Sequence, residues 1–159
     1  MNGAGMVHQN TASEEDGVSL LLDDQMCFAL YTAQRTMTNR YRPLLEQFDL
    51  TYPQYLVMLV LWQHGGLPIK KLGDLLELNY GTLTPLLKRL QAHGLVRRER
   101  QADDERSVLI TLTEEGTALR ERARVIPAAM RDAAGLTTQQ TVDTKDLLDR
   151  LRANLAVSG

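Results

Sequence analysis

The chain has 159 residues, 43% apolar and 24% charged, with 18 basic side chains against 20 acidic ones and a formal charge of −2. That is the profile of one globular domain with a real core, and it excludes a chain too polar to fold. No basic leader with an apolar core and no apolar stretch of bilayer length occurs, so export and membrane insertion are not expected and the cytoplasm is. A single cysteine, Cys27, excludes an intrachain disulfide.

Charge is unevenly spread. The first 24 residues hold Glu14, Glu15, Asp16, Asp23 and Asp24 with no Lys or Arg, whereas residues 85–100 hold Lys88, Arg89, Arg97, Arg98 and Arg100 against Glu99 alone. Any claim of nucleic-acid binding must therefore rest on where the charges fall rather than on their sum.

Residues 1–18 mix Gly, Ser, Asn, Thr and acids without apolar periodicity and are expected to be a disordered leader, leaving 19–159 as one domain. From Asp23, Met26, Leu30, Ala33 and Met37 recur at helical spacing, predicting a helix that ends or bends near Pro43. Thr51-x-x-Gln54, with Pro53 in the first turn, is a capping box for a helix from Tyr55 to Trp62. That helix is apolar nearly all round, hence central and buried, and His64-Gly65-Gly66 stops it. Pro68–Leu76 and Gly81–His93 then predict two short helices around the turn Glu77-Leu78-Asn79-Tyr80, with Gly94 closing the second.

Leu95–Arg100 and Ser107–Leu112 read as two strands flanking the polar segment 101–106. Thr113 with Glu114 and Glu115 caps a long helix reaching Pro127, and Thr137-x-x-Gln140 caps a last helix carrying Val142, Leu147, Leu148, Leu151 and Leu155. The expected fold is mainly α with a small β-hairpin wing. It is a winged helix-turn-helix at about 67–112, between helical dimerisation segments at about 20–45 and 114–157.

A helix that enters the major groove must turn its core residues inward and present short polar or basic groups outward. In Gly81–His93 the leucines take the inner side, leaving Tyr80, Thr82, Thr84, Lys88 and Arg89 for base edges and phosphates. Arg106 at the hairpin tip, oriented by Asp104, suits the negative potential of the minor groove, while Arg97, Arg98 and Arg100 suit phosphates. A basic run alone is usually a solvated face; the ordered series helix, turn, helix, Gly, strand, arginine tip, strand favours DNA.

Lys70-Lys71-Leu72-Gly73, the stretch Gly81–Leu90, Gly94-Leu95 and Asp103-Asp104-Glu105-Arg106-Ser107-Val108 resemble the MarR family of bacterial transcription regulators. The resemblance implies a homodimer that binds a pseudo-palindromic double-stranded operator and represses a nearby gene, with Lys70 and Ser107 among the DNA-contact positions.

Cys27, Tyr31 and Tyr41 stand at i, i+4 and i+14 on the first predicted helix. Fourteen residues rise about 21 Å, so within one chain only Tyr31 can reach the sulfur, and Tyr41 could do so only from a second, antiparallel subunit. Tyr52 is a further phenol able to converge there. A thiolate, not a thiol, attacks a peroxide O–O bond, and phenols donating to sulfur would stabilise that anion, against the opposing charge of Asp23 and Asp24. A lone cysteine is otherwise most often a small buried hydrophobe.

A second resemblance bears on this choice. Leu22-x4-Cys27-Phe28-Ala29-Leu30-Tyr31, Tyr41-x-Pro43-Leu44-Leu45 and Leu50-Thr51-Tyr52-Pro53-Gln54-Tyr55-Leu56 are similar to the organic hydroperoxide resistance regulators. It implies that Cys27 reacts with organic hydroperoxide and that Tyr31, Tyr41 and Tyr52 hydrogen-bond it. With no second cysteine, a low-molecular-weight thiol or over-oxidation would have to complete the switch.

The main alternative is a repressor of the same family released by a small aromatic acid. A one-cysteine peroxidase is set aside because the only strands legible here belong to the wing. His8, His64 and His93 are scattered without metal-ligand spacing, and no cofactor is expected.

Overall fold

A computed structural model describes residues 19–101 and 104–157, with the backbone alone at Arg100, Gln101 and 104–107. The expected leader, residues 1–18, lies outside the described residues. The chain forms two units, one ending at Thr36 and one beginning at Met37, the division falling within the first long helix.

In the first unit a 3₁₀ turn, Leu22–Asp24, precedes helix α1 (Met26–Glu46). Helix α1 ends at Glu46, near Pro43 as expected, with Pro43 inside its last turn. Along this stretch Leu20, Leu21, Leu22, Met26 and Tyr31 are exposed.

The second unit holds the core. After the end of α1 come α2 (Tyr52–His64), β1 (Leu67–Pro68), α3 (Ile69–Leu76), α4 (Tyr80–Ala92), β2 (Val96–Gln101) and β3 (Asp104–Leu112). Three further helices follow: α5 (Glu114–Ala123), α6 (Val125–Ala134) and α7 (Thr138–Val157). As its composition requires, α2 is central: Val57, Met58 and Leu61 are fully buried. Its N-terminus carries the expected capping box, Gln54 N–H donating to Thr51 Oγ1 and Thr51 N–H to Gln54 Oε1. Leu72 of α3, Leu87 and Leu90 of α4 and Ile110 of β3 close around α2 with no exposure.

The sheet has three antiparallel strands, order β1-β3-β2, with Leu67 opposite Ile110 and Val96 opposite Leu112. The third strand, β1, was not expected: two residues show no period, and Pro68 is tolerated because β1 is an edge. The hairpin is also longer than its apolar alternation suggests, because Gln101 pairs with Asp104. Arg106 thus lies within β3 rather than at a loop tip, and residues 102–103, which join the strands, are outside the described residues.

Beyond the hairpin, the single long helix expected from Thr113 to Pro127 is two, α5 and α6, meeting at Arg124. Pro127 supplies the reason: it has no N–H for the carbonyl of Ala123, four residues earlier, and its ring crowds that carbonyl. Helix α7 starts at the predicted capping box, Gln140 N–H to Thr137 Oγ1 and Thr137 N–H to Gln140 Oε1. None of its residues is buried; Val142, Leu147 and Leu155 are roughly half exposed or more, and Arg152 pairs with Glu77 in the turn before α4. Among the described residues no helix is long and apolar enough to cross a membrane, and no three His, Cys, Asp or Glu side chains are grouped to hold a metal.

Candidate DNA interface and thiol site

Helix α4 is capped at its start. Asn79 is its N-cap, Oδ1 accepting from Thr82 N–H at 2.8 Å; Pro85, the sixth residue of α4, lies inside the helix rather than in its first turn and cannot donate to the Gly81 carbonyl. Glu77, in the left-handed region at φ 54°, turns the chain between α3 and α4, its neighbour Leu78 donating back to Gly73 O at 2.9 Å. Gly94, at φ 71°, reverses the chain after α4 and lets Leu95 N–H reach Leu90 O at 3.0 Å. Removal of the cap in Asn79→Ala is expected to lower stability by about 1 kcal/mol, read as a lower urea midpoint at unchanged slope.

Leu83, Leu87 and Leu90 form the buried side of α4, and Tyr80, Thr82, Lys88 and Arg89 are exposed. Thr84 departs from the outward position expected for it: it borders the leucine face, half-buried, with Oγ1 buried and without a hydrogen-bond partner. Lys70, on α3, is exposed. In β2, successive side chains alternate between faces. Arg97 is exposed, whereas Arg98 shares the face of buried Val96 and is half-buried, its Nε enclosed without a partner. The side chains of Asp104, Arg106 and Ser107 lie outside what is described.

In the first unit Cys27 is a free, exposed thiol in the opening turn of α1. Tyr31, one turn on, is 56% exposed, and its oxygen accepts a hydrogen bond from Arg35 Nη1 at 3.3 Å. Sequence reasoning missed Arg35, because a lone arginine on an exposed helix carries no pattern to mark it.

In the second unit Tyr41 and Tyr52 are half-buried and stacked, with ring centroids 4.6 Å apart and planes tilted 39°. Tyr55 joins them, 6.0 Å from Tyr41 and edge-on to Trp62 at 6.3 Å. Burial, then the neighbouring Tyr52, pushes the Tyr41 hydroxyl above its ordinary value. Burial, then Tyr41 and Tyr52, pushes Tyr55 up to about 12. Both hydroxyls therefore stay protonated, and so remain donors, across the physiological range. α1 is continuous from Met26 to Glu46, the condition on which the helical-rise argument for Tyr41 depends.

A cleft of about 510 Å³ lies between the end of α1, the start of α2 and the far end of α4, with Arg42, Arg89 and His93 facing Glu46 and Asp49. His93 Nε2 is 3.4 Å from Asp49 Oδ2.

The chain is similar to known proteins. The family described as transcriptional regulator SarA/Rot matches residues 39–122. Over 130 residues, 82% of this chain and 86% of the relative, the chain is 49% identical to the organic hydroperoxide resistance transcriptional regulator of Bacillus subtilis (strain 168). AbfR of Staphylococcus epidermidis has been solved in several states. Reduced and bound to DNA, it superposes with a TM-score of 0.72 at 37% identity, over 85% of this chain and 92% of that one. Overoxidized and bound to DNA, it gives 0.70 at 36%, over 84% and 94%. In its disulfide form it gives 0.59 at 38%, over 85% and 90%. With a winged helix-turn-helix and matches of this extent, the chain belongs to the MarR/SarA family of transcriptional regulators.

Proposed function

We propose that the chain is a homodimeric, cytoplasmic repressor that binds a pseudo-palindromic double-stranded operator and releases it when organic hydroperoxide oxidises Cys27. The observation that carries this reading is the 49% identity to an organic hydroperoxide resistance regulator, combined with an exposed thiol one turn from Tyr31. The dimer is supported by α7, a twenty-residue helix with no buried residue and a run of exposed aliphatic side chains that a second copy would cover. In such a dimer Tyr41 and Tyr52 of one copy would stand beside Cys27 of the other.

On the DNA side, Tyr80 and Thr82 at the start of α4 would meet base edges. Lys70, Lys88, Arg89 and Arg97 would hold phosphates, with Asp104, Arg106 and Ser107 of the wing reaching the minor groove. Lys88→Ala is expected to weaken operator and random DNA alike and to reduce the slope of log affinity against log salt by about 0.9 per half-site contact. A salt titration of duplex binding measures both.

On the thiol side, the Cys27 thiolate attacks one peroxide oxygen, the O–O bond breaks, and the departing alkoxide takes a proton to leave an alcohol. The sulfur is then a sulfenic acid, which condenses with a low-molecular-weight thiol to a mixed disulfide and water. That overoxidized AbfR is bound to DNA supports a disulfide rather than over-oxidation as the releasing state.

The test is binding of the DNA flanking the chain's own gene, under cumene hydroperoxide, cumene hydroperoxide with free cysteine, the same followed by reductant, and salicylate. Release by peroxide with cysteine, reversed by reductant, is the expected outcome; no release in any peroxide arm overturns the reading. The salicylate arm covers the second reading, a repressor released by an aromatic acid. The cleft holding Arg42, Arg89 and His93 favours it, having the size of a small-ligand site.

A further inference from the structure

Resting on the sensing reading above, we propose that Arg35 is a positioning residue for the thiol: it holds the Tyr31 phenol in the attitude from which the hydroxyl donates to the Cys27 sulfur. Cys27, Tyr31 and Arg35 follow one another at four-residue intervals along α1. Side chains on a helix lean toward its N-terminus, over the preceding turn, so Tyr31 leans toward Cys27 and Arg35 toward Tyr31.

Two contacts hold the Arg35 guanidinium against Tyr31. Arg35 Nη1 donates to Tyr31 Oη at 3.3 Å, and the guanidinium carbon lies 5.4 Å from the centre of the Tyr31 ring. Without them a phenol that is 56% exposed would sample several rotamers. A phenol oxygen has lone pairs to accept with while its own proton remains to be donated, so Tyr31 can bond Arg35 and the sulfur at once. Accepting from a cation also polarises the O–H and strengthens the bond it gives.

The electrostatics point the same way. Asp23 and Asp24, in the turn just before α1, oppose a negative sulfur, and Arg35 is the only Lys or Arg among residues 19–36. Its charge, relayed through Tyr31, offsets theirs.

The test uses the reduced full-length protein and the variants Arg35→Gln, Arg35→Lys, Tyr31→Phe and the double variant Tyr31→Phe/Arg35→Gln. Two rates are followed against pH: oxidation of Cys27 by cumene hydroperoxide, and its alkylation by iodoacetamide. Arg35→Gln is expected to slow both at neutral pH roughly three- to tenfold, and to move the alkylation profile to higher pH, because a smaller share of the sulfur is ionised. Arg35→Lys should recover part of the loss, and the double variant should be no slower than Tyr31→Phe, since Arg35 acts through the phenol.

Arg35 is exposed, so operator affinity of the reduced variants should match that of the parent. An Arg35→Gln variant with the parent's rates and pH profile overturns the proposal, as does additivity of the two single changes. Should the parent itself fail to react with hydroperoxide at Cys27, the sensing reading falls, while the alkylation profile still decides whether Arg35 acts on the sulfur.

Discussion

Cys27→Ser is expected to bind operator DNA as tightly as the parent and to remain bound at concentrations of cumene hydroperoxide and cysteine that strip the parent completely. Serine keeps the size and hydrogen-bonding reach of the thiol but has no low-lying anion at neutral pH to attack an O–O bond. The site is exposed at the start of α1, outside the core cluster, so the exchange should alter stability by less than about 0.5 kcal/mol. The residues offered to DNA belong to the unit that begins at Met37, whereas Cys27 belongs to the one that ends at Thr36. A gel-shift or anisotropy titration of the variant with and without oxidant checks both halves. Release of the variant would transfer sensing to some other group; loss of binding without oxidant would make Cys27 part of the fold rather than a sensor.

Much of the fold was legible because its signals are local. The boxes at Thr51–Gln54 and Thr137–Gln140 each satisfy two orphan N–H groups within four residues, so the sequence carries both partners side by side. Gly94 and the leucines of α4 are local in the same sense. What escaped depends on residues distant in the chain. β1 is only two residues long, and its pairing with β3 spans about forty residues of sequence, which no window of periodicity can reveal. The outer hairpin, Gln101 and 104–106, is polar and so reads as loop, although pairing with the opposite strand keeps it extended.

The thiol site divides in the same way. Cys27 and Tyr31 stand out by motif and spacing, but the stacking of Tyr41 on Tyr52 exists only once α1 and α2 meet, and Arg35 looks like any solvated charge until its contact with Tyr31 is seen. Conversely, Thr84 and Arg98 read as outward-facing DNA contacts, yet both are half-buried. Outward position on a helix or strand depends on what packs alongside, and position in the sequence does not specify it.

The largest effect on stability is expected at Gly116, which sequence reasoning passed over as an ordinary residue in the first turn of α5. A glycine inside a helix is normally replaced by alanine with a gain of about 1 kcal/mol. Here a Cβ would stand 2.0 Å from Leu95 O, 3.0 Å from its carbonyl carbon and 3.3 Å from Leu112 Cδ2. That carbonyl cannot easily withdraw, because Thr113 N–H donates to it at 3.1 Å. Nor can α5 slide away: Gly116 N–H donates to Thr113 Oγ1 at 2.9 Å, Thr113 Oγ1 donates to Gly94 O at 2.5 Å, and Trp62 Nε1 donates to Gly116 O at 2.8 Å.

Gly116→Ala must therefore break part of this network or push the start of β2 outward, and should lose about 3 kcal/mol net of the propensity gain. For a chain of this length that corresponds to a fall of roughly 6–12 °C in Tm, measured at fixed protein concentration because the proposed dimer would contribute. Gly81→Ala is the control: in α4 a Cβ meets only Asn79 Oδ1 at 3.4 Å, so its Tm should stay level or rise. Because Leu95 leads directly into β2, the folded fraction of Gly116→Ala should also bind DNA more weakly, while its Cys27 oxidises at the parent's rate. A Gly116→Ala variant as stable as Gly81→Ala would mean that α5 and the root of the hairpin are not in this close contact.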